Sequence, residues 1–315
     1  MSRIQQRKEA VSHLRIEPDQ DGRRIDNFLR ARFRDVAKSR IYQMIRKGEV
    51  RVNGGRIKPD YKLQSGDRLR LPPVGRAEQG RRAPPPDALR DISAPVLYED
   101  EELLVINKPS GIPVHGGTGR SFGIIDVLRH THPAGATLQL VHRLDQDTSG
   151  CLLLAKTHSC LRRLHGHLRE GRVEKQYTAL LKGRLGEKTV SVDLPLRRGA
   201  RRGGERLVET SAEGKAARTR FNLVRRFRDA TLAKIEIATG RTHQIRVHAG
   251  LIGHPVAGDH RYGDRDFNRQ LRPLGLRRLF LHASRVRIPR PGRSAALAVE
   301  APLPEDLQVF LDSYE

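Results

Sequence analysis

The chain has 315 residues, 60 of them Lys or Arg and 36 Asp or Glu, which gives a net charge of +24 and a pI near 11.0. At roughly 150 residues per domain this length predicts about two domains. Cations spread along the whole chain predict a polyanionic partner, since distributed Lys and Arg attract phosphate backbones, and apolar runs no longer than five residues, such as Cys151–Ala155, exclude a membrane span, which needs about 20.

Residues 1–21 are polar and unpatterned and read as a flexible, frayed lead-in. From Gly22 the pattern changes. Ile25, Phe28 and Leu29 share one helical face, and Ile41, Met44 and Ile45 form the stripe of a second helix with Ser39 as its cap and Gly48 as its stop. Short strands follow at Glu49–Val52, Arg56–Ile57 and Asp67–Leu71, the first two joined by an Asn53-Gly54 turn. Residues 22–72 carry 15 Lys and Arg against 5 Asp and Glu, a net +10. This is a small basic α+β module in which Arg40, Lys47 and Arg51 are candidate contacts to a phosphate backbone.

Residues 73–95 read as a linker, interrupted by Pro73, Pro84, Pro85, Pro86 and Pro95 and solvated by Arg76, Arg81 and Arg82. Beyond it, 96–315 reads as one strand-rich domain. Strands are expected at Val96–Tyr98, Leu103–Ile106, Leu138–Leu144, Cys151–Ala155, Val173–Leu181 and Thr231–Ala238, with a helix over His158–Gly171. Strands without regular βαβ units predict an α+β fold on a mixed, largely antiparallel sheet.

The densest polar segment runs from His142 to Gly150 and joins two apolar strands, so its side chains sit at the mouth of a sheet. Alone, Asp145 to Gly150 reads as a polar turn with Gly150 left-handed. Two further segments change that reading. Asn107 to His115 is a Pro/Gly-braced loop after a strand. Thr239 to His248 turns at Gly240, is capped by Thr242, and places His243 and Arg246 in a helix's first turns, where Arg246 is a ready counter-ion for a carboxylate. Glu174-Lys175-Gln176-Tyr177 adds a phenol in a strand.

These four segments, in their chain order, together with Gly258-Asp259, Tyr262-Gly263 and Leu279 to Ala283, resemble the motif set of the RluA/RluC-type pseudouridine synthases (N-K-P-x-G-x-x-V-H, H-R-L-D-x-x-T-S-G, E-K-x-Y and G-R-T-H-Q-I-R-V-H) over roughly residues 96–300. Residues 22–72 resemble the small RNA-binding domain named after ribosomal protein S-four. The resemblance implies isomerisation of uridines within RNA, with 23S ribosomal RNA of the large subunit as the partner preferred over transfer RNA.

By that resemblance Asp145 is the catalytic carboxylate, Arg246 its cationic partner, and Tyr177 lies against the uracil. Leu281 and His142 form part of the pocket. Arg143, expected to point away from Asp145, fills the stack vacated by a flipped nucleotide. Arg197, Arg198, Arg201 and Arg202 form a charged Gly-rich loop that closes on phosphates, and Asp147 caps a turn. An isomerisation requires no cofactor and no metal. The chain shows no G-x-x-x-x-G-K loop or dinucleotide fingerprint, and its two cysteines, Cys151 and Cys160, are too few for a disulfide framework or a cysteine-rich zinc site. That cysteine content, with no apolar stretch near residue 1, points to a reducing cytoplasmic setting.

Three rival readings are weaker. A non-catalytic RNA-binding or ribosome-assembly factor has no need of a carboxylate among arginines. A kinase-like reading of His142-Arg143-Leu144-Asp145 requires an Asn at position 150, where Gly stands. A deaminase requires H-x-E and C-x-x-C, which are absent.

Overall fold

The protein is described here as a computed structural model covering residues 11–33, 36, 38–73, 94–116, 122–202, 205–290 and 295–314. It divides into two compact units, Met1–Pro85 and Pro86–Glu315.

In the first unit, helices α1 (Ile25–Arg32) and α2 (Lys38–Arg46) pack on a three-stranded antiparallel sheet of β1 (Ser12–Arg15), β2 (Arg51–Val52) and β3 (Arg68–Leu71), in the order β1-β3-β2. Ile25, Phe28 and Leu29 meet Ile41, Met44 and Ile45 in its core, as their spacing predicts. Three expectations need correction. The lead-in is ordered from residue 12, because β3 offers a free edge that β1 pairs, Leu14 opposite Leu69, and the adjoining Ile16 is buried. Ser39 lies inside α2 rather than capping it.

The Asn53-Gly54 turn forms, with φ of 49° and 81°, but Arg56–Ile57 is not a strand. Asn53 instead bonds across to the third strand. Its side chain donates to Asp67 (2.8 Å) and accepts from the Arg68 amide (2.8 Å), so β2 pairs with β3. The first ten residues of the lead-in, and the linker from 74 to 93, lie outside the described residues.

The second unit is built on a ten-stranded mixed sheet. Its elements are β4 (Val96–Glu99), β5 (Leu103–Lys108), α3 (Ile124–Thr131), β6 (Gln139–Leu140), β7 (Ser149–Ala155), α4 (His158–Arg169), β8 (Glu174–Lys182), β9 (Thr189–Asp193), β10 (Leu196–Arg202), β11 (Glu205–Thr210), β12 (Arg218–Arg226), β13 (Ala230–Ile237), α5 (Gln244–Leu251), α6 (Arg265–Leu271), β14 (Leu281–Ile288), β15 (Leu297–Glu300) and α7 (Glu305–Ser313). The sheet order is β4-β5-β7-β14-β8-β13-β12-β9, with β15 on β14 and β6 on β7. Every named pairing in it is antiparallel except β7 with β14.

That parallel contact is short, His282 opposite Ser149 and Ala283 opposite Gly150. Gly150 has φ of +109°, and a Cβ there would lie 2.3 Å from the Ala283 carbonyl oxygen. Only Gly permits this approach. Ser149 clasps the same junction, accepting from Arg278 (2.6 Å) and meeting His282 Nδ1 at 3.0 Å.

Alternate residues of β8 divide the interior. Tyr177, Ala179 and Leu181 face Ile235 and Ile245 in the main core, whereas Leu180 packs with Phe280 and Phe310. The expected strand over 138–144 shrinks to Gln139–Leu140, since the following residues turn away to present the polar loop. Arg197 to Arg202 belong to a two-stranded hairpin of β10 with β11 rather than to a loop. Arg197 lies opposite Glu209, and that charge pair, at 3.2 Å, favours pairing. Among the described residues no helix is long and apolar enough to cross a membrane.

Candidate active site

Asp145 stands in the loop between β6 and β7, its side chain 20% exposed. The loop is held from beneath. The Lys108 ammonium, fully buried at the end of β5, donates to three carbonyls: Pro109 (2.7 Å), Ile112 (2.8 Å) and Gln146 (2.9 Å). Burial pushes this lysine down to about 7, against the pull of Asp147. Ser110 adds a bond to the Asp147 carbonyl (2.7 Å). The braced loop after β5 is therefore the fastening of the Asp145 loop, a role that its sequence alone does not reveal.

The opposite wall comes from the turn before α5. His243, not Thr242, precedes the helix, and it adopts a left-handed backbone with φ of 52°. No side chain caps this terminus; Gln244 instead turns back to accept from Thr239 (2.7 Å) and the Arg241 amide (3.1 Å). The first helical turn carries Arg246 inward, where it is 6% exposed.

Its guanidinium is engaged first by Asp259, through Nε (2.7 Å) and Nη2 (2.8 Å), and Nη1 stands 3.6 Å from Asp145 Oδ2. The expected cation thus faces Asp145, but a carboxylate given no role in advance holds it there. Burial opposes charge on both Arg246 and Asp259. Their mutual bonds outweigh it, so the arginine lies above and the aspartate below its ordinary pKa. Both stay ionised.

Between the two walls is a cavity of about 60 Å³ lined by Arg143, Asp145, Thr148, Tyr177, His243, Arg246 and Leu281, among others. Four expected residues, Asp145, Tyr177, Arg246 and Leu281, are brought together there. Burial and then the Asp145 charge raise the Tyr177 phenol, so it is a protonated wall rather than a phenolate. Arg143 lines the same cavity together with Leu144 and Asp145, which corrects the expectation that it points away: this stretch is an irregular loop, so strand alternation does not separate the two side chains. Asp145 is the one carboxylate among the lining residues. Thr148 Oγ1 is buried with no hydrogen-bond partner among the described residues.

His142 does not line the cavity. It turns beneath β7, where Nε2 accepts from the Leu153 amide (3.2 Å), and burial lowers it to about 4, so a neutral ring supports the strand. Tyr262 is a further unexpected member. Its hydroxyl accepts from the Val208 amide of β11 (2.9 Å) and bonds His243 Nδ1 (2.8 Å), while its ring lies 5.2 Å from the Arg246 guanidinium. The Gly258-Asp259 and Tyr262-Gly263 motifs were the sequence signal for both residues.

The surface candidates differ in availability. Lys47 and Arg198 are exposed, Arg40 is tied to Glu49 by two bonds (3.0 and 2.7 Å), Arg51 bonds the Gly48 carbonyl (3.2 Å), and Arg197 pairs with Glu209 and Glu213. The side chains of Arg201 and Arg202 lie outside the described part.

Residues 102–250 match the RNA pseudouridylate synthase family, and residues 23–69 match the S4 domain. The chain is 50% identical over 306 residues to the ribosomal large subunit pseudouridine synthase C of Escherichia coli, covering 95% of each chain. It belongs to the pseudouridine synthase family. The enzyme of the same name from Pasteurella multocida is also 50% identical, over 96% of this chain and 94% of its own. Among solved structures, human RNA pseudouridylate synthase domain containing 4 superposes with a TM-score of 0.58 at 28% identity, covering 72% of this chain and 94% of that one. The RluA/RluC-type membership and the α+β architecture expected from the motifs both hold.

Proposed function

We propose that this pseudouridine synthase isomerises uridines of large-subunit ribosomal RNA, with Asp145 as its reacting group. The observation that carries this is a single partly exposed carboxylate in a cavity otherwise walled by arginines, a protonated phenol, neutral polar groups and apolar side chains. Such a group can serve a nucleoside in two ways. It attacks C1′ of the ribose, or removes a proton from C2′, and in either case the bond to N1 breaks. Arg246, aimed by Asp259, keeps a cation beside the carboxylate. Tyr177 and Leu281 confine the detached uracil while it turns.

A uridine in a helix cannot reach Asp145, so the target nucleotide is flipped, at roughly a few kcal/mol. Arg143, exposed at the cavity, is placed to take the vacated space. Residues 22–72 supply sequence-independent affinity through their net +10, and 96–315 supply the chemistry. Cys151 and Cys160 are free and buried, and burial raises both thiols to about 11, which suits a reducing cytoplasm.

The test is Asp145→Asn assayed on ribosomal RNA by chemical mapping of pseudouridine. The variant is expected to lose at least about a thousandfold in turnover while its RNA affinity stays within about threefold. Turnover within tenfold of the wild type would overturn the assignment.

A further inference from the structure

His243 combines features that the mechanism above leaves unused. Apart from Asn53 it is the only non-glycine residue with positive φ among the described residues, and its side chain, 12% exposed, lines the Asp145 cavity. Strain of this kind, worth about 1–3 kcal/mol, persists where the surroundings fix a side chain for a purpose. The surroundings here are explicit. Nδ1 lies 2.8 Å from the Tyr262 hydroxyl, the two rings meet edge to face at 5.4 Å, and Nε2 faces Asp145 Oδ1 at 4.0 Å.

The network assigns the ring's proton. The Tyr262 oxygen accepts from the Val208 amide, and His243 Nδ1 is the one acceptor that its O–H meets among the described residues, so the O–H donates to Nδ1. That leaves the imidazole hydrogen on Nε2, the tautomer that also suits a nitrogen facing a carboxylate. Burial lowers the pKa of His243, against the pull of Asp145, so the ring is neutral, with one N–H aimed into the cavity.

We propose that His243 is a further catalytic residue, whose Nε2–H donates to a carbonyl oxygen of the uracil as it detaches. The inference rests on the pseudouridine synthase reading of the site. When the C1′–N1 bond breaks, its electron pair goes to N1 and spreads to O2 and O4. C1′ either takes a new bond from an Asp145 oxygen or becomes unsaturated as Asp145 accepts the C2′ proton. In both routes the negative charge of the carboxylate passes to the uracil. A fixed donor aimed where charge develops stabilises that step without giving up its proton. Arg246 is less free to do so, because two of its three nitrogens are committed to Asp259.

Two substitutions separate this role from a structural one. The amide of His243→Asn sits where Nδ1 was, tolerates the left-handed backbone and keeps the Tyr262 bond, but loses the inward donor. The amide nitrogen of His243→Gln sits where Nε2 was. Wild-type protein must first form pseudouridine in ribosomal RNA; if it forms none, the reading of the site fails, not this inference alone. With an active wild type, single-turnover rates are compared at saturating RNA. The Asn variant is expected to be slowed about 10²–10³-fold, and the Gln variant to be at least tenfold faster than Asn. A Gln-to-Asn ratio below ten overturns the inference. If either variant fails to fold, Tyr262→Phe, which keeps the ring but frees the tautomer, is expected to slow turnover at least fivefold with unchanged RNA affinity; an unaltered rate overturns the inference.

Discussion

Asp259 grips the Arg246 guanidinium with two parallel hydrogen bonds of 2.7 and 2.8 Å, leaving Nη1 3.6 Å from Asp145. The carboxylate that is fully buried orients the arginine, and the carboxylate that is partly exposed faces the cavity. This division explains why two acids near one arginine do not compete. The buried one also accepts the amides of Arg261 (2.8 Å) and Tyr262 (3.0 Å), which lock its plane.

Asp259→Asn should therefore lower both stability and turnover. Removing one partner of a buried pair leaves the other charge uncompensated, at a cost of about 3–5 kcal/mol. Urea unfolding measures the loss, and a second substitution, Arg246→Met, should recover much of the stability but none of the activity. A loss below about 1 kcal/mol in the single variant would show that the pair is not the anchor of this wall.

Gly150→Ala should be severely destabilising. The residue needs φ of +109°, and the added methyl would meet the Ala283 carbonyl oxygen at 2.3 Å. Backbone strain and overpacking together amount to about 4 kcal/mol. A thermal melt at neutral pH reports the effect, and near-wild-type melting would mean that the β7–β14 junction yields easily.

His142 predicts an acid-sensitive component of stability. Its pKa falls from 6.5 in the unfolded chain to about 4 in the native state. Between these values the unfolded state binds the extra proton, so stability is complete above pH 6.5 and declines as pH falls toward 4. At about 1.4 kcal/mol per unit the decline approaches 3 kcal/mol. His142→Gln, which keeps an acceptor for the Leu153 amide, should flatten that part of the profile when urea midpoints are compared from pH 4 to 7. An acid limb parallel to the wild type would assign the titration to the other buried histidines, His167, His248 and His282, which burial also lowers.

Read alone, the amino-acid order determined the helices with clear apolar stripes, the turn at Asn53-Gly54, the polar loop at Asp145 and the motif set that marks the family. These are properties of neighbours in the chain, set by side-chain periodicity and backbone freedom. Tertiary structure decided the rest. Pairing of residues 12–15 with β3 and the reach of Lys108 to the Gln146 carbonyl join residues far apart in sequence, while the hairpin β10–β11, the grip of Asp259 on Arg246 and the bond of Leu153 to His142 join neighbouring elements across turns that side-chain periodicity does not specify. Which donor meets which acceptor there depends on strand order and burial, because a charged or polar group out of water takes whatever partner the fold brings within about 3 Å.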